Sequence, residues 1–152
     1  MKRLIDIGFQ RVGEWKQSHS GIEYLLHDCS DAGNILYCFV CRDNVLYVGK
    51  TVQALKKRMY GYQNPGPTQS TNIKGNLKIS DLLANGNQVD IYALPDNGLL
   101  HFGVFHINLA AGLEDSIVKT LNPSWNKTGT AKHDTPQDAK KPAPVSSQFD
   151  RR

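Results

Sequence analysis

The runs ILYCFVC and VLYVGKT flank a polar break at Arg42, Asp43 and Asn44, and both are rich in β-branched and aromatic residues, the signature of a β-hairpin. A three-residue loop over Arg42–Asn44 sets Cys41 opposite Val45, Phe39 opposite Tyr47 and Tyr37 opposite Gly49. Parity then places Tyr37 and Tyr47 on one face. Leu36, Cys38, Val40, Leu46 and Val48 fall on the other and form a continuous apolar surface. A two-residue loop would split the tyrosines and mix the apolar set with the polar one, so pattern and turn length together select the odd loop. Gly49, lacking a side chain opposite Tyr37, leaves room beside that hydroxyl.

Beyond the hairpin the period changes. Val52, Leu55, Met59 and Tyr62 recur at helical spacing, and Gly61 or the run Asn64-Pro65-Gly66-Pro67 ends that helix. A second helix is expected over residues 72–85, with Ile73, Leu77, Leu82 and Leu83 apolar and Gly86 just past its end. Residues 89–94 alternate as a strand, and residues 101–107 read either as a strand or as a lead-in to a helix. Leu113, Ile117, Val118 and Leu121 mark a third helix that stops near Asn122, because Pro123 disfavours helical geometry before it. Glu114 is expected in its first turn. Residues 1–33 are mixed, with an extended stretch over 21–26, and read as an N-terminal appendage. Residues 34–126 form the main domain, and residues 127–152, poor in large apolar side chains, read as a flexible tail. Hairpin, helix, helix, strand, helix implies an α/β (α+β) sandwich around a short, mainly antiparallel sheet.

Composition narrows the class more than the activity. With 152 residues, 39% hydrophobic and 21% charged, the chain suits one soluble domain. No apolar run reaches the roughly 18 residues of a membrane span, and the start lacks the apolar core of a secretory signal, so a cytoplasmic location and no membrane partner are expected. Three cysteines, Cys29, Cys38 and Cys41, read as reduced thiols. On a strand Cys38 and Cys41 point to opposite faces, which argues against a metal or redox C-x-x-C. The five histidines show no ligand spacing.

The net charge of +4 is unevenly placed. Residues 44–80 carry six basic side chains, Lys50, Lys56, Lys57, Arg58, Lys74 and Lys78, and no acidic one. Such a segment can face phosphates, although two solvated helix faces would read the same way. The polar inventory near the hairpin is Tyr37, Tyr47, Lys50, Thr51, Arg58 and Tyr62, with the carboxylate Glu114 entering from a later helix. That set suits phosphodiester hydrolysis. The reaction needs activation of water, positive charge for the phosphorane, and usually a divalent metal held by a carboxylate and waters.

Ile35-Leu36-Tyr37, then Tyr47-Val48-Gly49-Lys50-Thr51 ten residues on, Leu55-x-x-Arg58, Leu113-Glu114 and Asn122-Pro123-Ser124-Trp125-Asn126 together resemble the GIY-YIG nucleases. The match lies closest to the phage endonuclease II and restriction-enzyme branch of that superfamily. Ile35 and Leu36 replace the glycine and isoleucine of the first motif and Val48 the isoleucine of the second; these are structural positions. The resemblance implies that Tyr37 activates the attacking water, Tyr47 positions it, and Arg58 holds the scissile phosphate. It further implies that Glu114 binds one Mg²⁺ (or Mn²⁺) and that Asn126 braces the site. Tyr62 stands where many members carry histidine.

The function so implied is metal-dependent hydrolysis of duplex DNA, leaving 5′-phosphate and 3′-hydroxyl ends. Lys50, Thr51, Lys56, Lys57, Lys74 and Lys78 are the candidate DNA contacts. One site cuts one strand, so a double-strand break would call for a homodimer, a homotetramer or sequential nicking. Two other readings fit the same scaffold: a catalytically silent nucleic-acid-binding module, and a repair nuclease that recognises DNA structure. Base-reading residues have no fixed signature, and residues 63–71 and 95–106 are where specificity would be sought.

Overall fold

A computed structural model describes residues 1–126 of the chain. The order is α1 (Lys2–Asp6), β1 (Gln10–Ser18), β2 (Gly21–Leu26), β3 (Ile35–Cys41), β4 (Asn44–Thr51), α2 (Leu55–Gln63), α3 (Ser70–Ala84), β5 (Val89–Pro95), β6 (His101–Phe102), β7 (Phe105–His106) and α4 (Leu109–Leu121). Five strands form an antiparallel sheet in the order β2-β1-β5-β3-β4. The architecture is α+β. Residues 10–26, read from sequence as an appendage, therefore supply two strands of the main sheet; only β2 was foreshadowed. The charged pattern of β1 hides that Val12 and Trp15 are buried. The expected tail, residues 127–152, lies outside the described residues.

Strand β3 is buried along its whole length because both faces of the sheet are covered. Ile35, Tyr37 and Phe39 point into a cluster with Leu55, Met59 and Tyr62 of α2 and Ile79 of α3, completed by Val12, Trp15 and Ile91. Leu36, Cys38 and Val40 point the other way, into a cluster with Val48, Ala110 and Ile117 of α4 and with Leu4 and Phe9 near α1. Full burial of one such apolar side chain is worth about 1.5–3 kcal/mol. In this environment desolvation pushes the Cys38 thiol up to about 12.

The hairpin turn differs from the expected one. Its loop is two residues, Arg42 and Asp43, both at positive φ (50° and 63°), and Cys41 pairs with Asn44 rather than with Val45. Positive φ at both central positions is the type I′ pattern, whose twist matches that of the strands. The register then slips by one between Phe39 and Val40, with Leu46 as the extra residue, so Phe39 still pairs with Tyr47 and Tyr37 with Gly49. A short loop plus a bulge gives the same offset as the longer loop. The bulge puts Val45, not Leu46, against the second cluster.

Helix α4 begins at Leu109, capped by the Asn108 side chain, which accepts from Ala111 N at 3.1 Å. Glu114 is consequently in the second turn, not the first. The helix ends at Leu121 with its cap residue Asn122 in the left-handed conformation (φ 48°), and the following Pro123 cannot continue it. Residues 101–106 form the small β6–β7 pair, which exposes Phe102, Val104 and Phe105. Among the described residues no helix is long and apolar enough to cross a membrane.

Candidate active site

The hairpin brings Tyr37 up against helix α2. There the Arg58 guanidinium donates from Nε to Tyr37 Oη (2.8 Å) and from Nη2 to Tyr62 Oη (2.9 Å), while the two hydroxyls bond each other at 2.8 Å. Its third contact runs from Nη1 to Asn72 Oδ1 on α3 (3.1 Å), and Asn72 in turn donates to Gln69 Oε1 (3.0 Å). Arg58 and Tyr62 are four residues apart, so the guanidinium also lies over the Tyr62 ring, 4.6 Å from its centroid. Asn72 and Gln69 are members of this cluster that the sequence reading missed. Asn72 is the one polar side chain among the buried residues described, and it sits seven residues before Ile79 on the same helix face.

Counting donors shows what the cluster has left. A guanidinium carries five N–H groups. Three point at Tyr37, Tyr62 and Asn72, so two remain, one on each terminal nitrogen, for an anion. Between the two phenols one O–H serves their mutual bond, leaving one to offer outward. Desolvation pushes both phenols well above the ordinary tyrosine range, and for Tyr37 the Arg58 charge opposes that rise without cancelling it. Both are therefore neutral at pH 7. Burial works against the charge on Arg58 and the hydrogen bond to Tyr37 favours it, and arginine's ordinary pKa lies so high that the guanidinium stays ionised.

Gly49 explains how Tyr37 fits. A Cβ there would lie 2.6 Å from Tyr37 Oη and 2.8 Å from Tyr47 Cε1. The room expected beside the hydroxyl is occupied by the tyrosines themselves. The Tyr47 ring stacks on Phe39, 5.7 Å between centroids at 28°, and its hydroxyl hydrogen-bonds no other described residue.

Strand β4 is an edge, and the end of the described chain closes it. The Asn126 side chain accepts from Val48 N (2.8 Å) and donates to Val48 O (2.7 Å), mimicking a further strand. Trp125 N donates to the carbonyl of the bulge residue Leu46 (2.9 Å). The bulge thus offers the carbonyl that anchors the segment after α4, and Asn126 braces the strand between Tyr47 and Gly49.

At the far end of β4, Lys50 Nζ lies 2.9 Å from Glu114 Oε2, and this partner raises the lysine's pKa. Lys50, Thr51 and Arg58 line one cleft of about 430 Å³, with Asn34, Asn108 and Ala111 opposite. The basic residues do not form one stripe. Lys56 pairs with Asp31, whereas Lys57 is exposed beside it on α2. Lys74 and Lys78 line a separate pocket on α3. Thr51 Oγ1 is engaged locally, accepting from Gln53 N at 3.1 Å.

No protein-family model matches the chain, and no curated protein sequence matches it. Among solved structures, a mutant form of bacteriophage T4 EndoII matches with a TM-score of 0.64 at 23% identity, over 83% of this chain and 97% of that one. The chain has the EndoII fold. Restriction endonuclease HPY188I in complex with product DNA also matches, with a TM-score of 0.48 at 17% identity over 88% of this chain and 84% of that one.

Proposed function

We propose that this chain is a GIY-YIG-type DNA endonuclease that hydrolyses one phosphodiester by in-line attack of water, leaving a 5′-phosphate and a 3′-hydroxyl. The observation that carries the reading is the half-buried Arg58 fork. It is clamped by two phenols and an amide, yet keeps two N–H groups for an anion at the wall of an open cleft. A guanidinium held this rigidly meets developing phosphate charge without reorganising. Water attacks phosphorus opposite O3′, the bond to O3′ breaks, and O3′ takes up a proton. Tyr37 orients the water through Oη. Because the phenol is neutral, it orients the water by hydrogen bonding rather than acting as a phenolate base; the water's proton passes to solvent, which also supplies the proton for O3′, and Arg58 stabilises the negative charge that builds beside it. Tyr47, whose hydroxyl bonds no other described residue, completes the grip on the water, Tyr62 fixes Arg58, and Asn126 holds the strand that carries Tyr47. Lys50, Thr51, Lys57, Lys74 and Lys78 are the DNA contacts proposed, while Lys56 is tied to Asp31.

Glu114 is the carboxylate that would hold Mg²⁺ or Mn²⁺. Among the described residues no three His, Cys, Asp or Glu side chains converge, so the ion suited to Glu114 is one that keeps most of its waters. When bound it supplies charge for the phosphate and a more acidic water. Lys50, which pairs with Glu114, is placed to move from the carboxylate to a phosphate oxygen.

Cleavage of supercoiled plasmid with Mg²⁺, with EDTA, and by folded Arg58→Ala and Glu114→Ala proteins tests the reading. The expected result is metal-dependent nicking or linearisation that both substitutions abolish. Well-folded wild type that binds DNA and cuts no form of it with any divalent ion would point instead to a silent binding module. A concerted double-strand break requires two copies of the site, so linear product without accumulated nicked circle would indicate a dimer or tetramer, whereas nicked circle that later becomes linear would indicate sequential nicking.

A further inference from the structure

Beside the hydroxyl cluster lies a second cavity to which the mechanism above assigns no ligand. It is about 260 Å³, walled by Tyr47 and Trp125, floored by Phe39 and Tyr62, and rimmed on α3 by Lys74 and Lys78. Tyr62 belongs to both sites: its ring lines this pocket, while its hydroxyl bonds Arg58. Gly75 keeps that ring uncovered, since a Cβ there would approach Tyr62 Cδ1 to 2.8 Å. Lys78 Nζ lies 5.6 Å from the Trp125 ring centroid, capping an aromatic face with a cation. Lys74 and Lys78 are four residues apart, hence one turn apart on the same helix face.

We propose that this pocket takes a single unstacked nucleobase of the DNA substrate, next to the scissile phosphate; the inference rests on the nuclease reading above. The volume is below the roughly 300–1,000 Å³ of pockets for drug-sized ligands and suits one planar heterocycle. Walls of aromatic rings offer π faces to a base of any sequence. The two rim lysines match the phosphates on either side of an extruded nucleotide, a charge arrangement that an apolar peptide side chain would not need. A base stacked in a duplex cannot enter an enclosed pocket, so entry requires extrusion, which is least costly where the base is already unpaired. The substrate class so favoured is DNA with an unpaired or mismatched base beside the cut.

Three fluorescently labelled duplexes of equal length separate base insertion from shape reading: fully paired, with one bulged nucleotide, and with one bulged abasic site. Binding is measured by anisotropy in EDTA, so that cleavage does not intervene. The bulged nucleotide should bind about 5- to 150-fold more tightly than the paired duplex, the worth of one base–aromatic stack. The abasic bulge should fall back to the paired value. Trp125→Leu should erase the difference and Trp125→Phe should keep most of it, with circular dichroism confirming that both fold. Quenching of Trp125 fluorescence by the bulged base gives a readout in the unsubstituted protein, because the other tryptophan, Trp15, is sealed in the core. Equal affinity for the two bulges, or an unchanged preference in Trp125→Leu, overturns the pocket assignment alone. Failure to bind any of the three overturns the nucleic-acid reading beneath it.

Discussion

Asn126 offers a test in which two substitutions of nearly equal size should rank in a definite order. Its amide closes the β4 edge at Val48 through one accepted and one donated hydrogen bond, of 2.8 and 2.7 Å. Each such bond contributes a net ~1 kcal/mol, and because β4 is an edge, water can replace part of what is lost. Asn126→Ala should therefore cost about 1–2 kcal/mol. Asn126→Asp keeps the acceptor toward Val48 N but turns a carboxylate oxygen toward Val48 O, where a donor stood. At pH 7 it should cost about 1 kcal/mol more than alanine, as two acceptors face each other. Protonation restores a donor, so the introduced carboxyl has a raised pKa in the folded protein. The folded state then binds the proton more tightly than the unfolded one, and the penalty shrinks as pH falls toward 4. Urea denaturation followed by circular dichroism, at pH 7 and near pH 4.5, reads this directly. With a slope of about 2 kcal/mol/M, alanine should lower the midpoint by about 0.5–1 M without changing the slope. Aspartate that is no worse than alanine at pH 7, or that gains nothing relative to alanine on acidification, would refute the two-bond geometry.

Three further outcomes follow from the same geometry. Gly49→Ala should destabilise by about 1–3 kcal/mol or more through overpacking against Tyr37 and Tyr47, measured by thermal melting; an unchanged melting temperature would contradict the close approach. Stability should fall steeply above pH 10: the unfolded chain releases the protons of Tyr37 and Tyr62 near their ordinary pKa while the folded chain retains them, adding about 1.4 kcal/mol per pH unit for each. Denaturant titrations between pH 9 and 11.5 would show it, and Tyr37→Phe should lessen the slope. Lys50→Met should tighten Mn²⁺ binding seen by electron paramagnetic resonance, since it removes the competitor at Glu114, while weakening DNA binding; unchanged Mn²⁺ affinity would mean that the pair does not guard the carboxylate.

The hairpin shows how far periodicity carries and where it stops. Side-chain alternation located the two tyrosines on one face because burial on both sides of β3 enforces the register. It could not tell a three-residue loop from a two-residue loop with a bulge at Leu46, since both give the same parity beyond Phe39. That choice depends on tertiary need: the bulge carbonyl receives Trp125 N–H from the far end of the domain. Strand β1 was illegible because its outer face carries Arg11, Glu14 and Lys16, which engage one another and Asp90. Glu114 was placed a turn early because Ala110 and Ala111 carry little hydrophobic signal, although Ala110 is buried against the sheet. Asn72 could have been suspected only as a polar residue on an apolar helical face. Its partner, Arg58, is on another helix, and no local pattern connects them.

The tyrosines of the candidate site are also the centre of the core. Tyr37 and Tyr62 are as buried as Phe39 and Met59, and Trp15 meets Tyr62 edge-on, 6.4 Å between ring centroids. This explains why the hydroxyls can be held so closely: rings locked on several sides cannot swing, so the guanidinium that bonds them is fixed without help from solvent. It also means that loss of cleavage after Tyr37→Ala or Tyr62→Ala would say little, because both changes open a large cavity in the core. Phenylalanine keeps the ring and removes only the oxygen. Tyr37→Phe and Tyr62→Phe are therefore the informative pair, and they should separate. On the proposed mechanism, removing the Tyr37 hydroxyl takes away the group assigned to orient the water, whereas removing that of Tyr62 only loosens one arm of Arg58, so cleavage should suffer more from the first. Equal losses would place both oxygens in support of Arg58 and return the activation of water to Tyr47, whose hydroxyl bonds no other described residue.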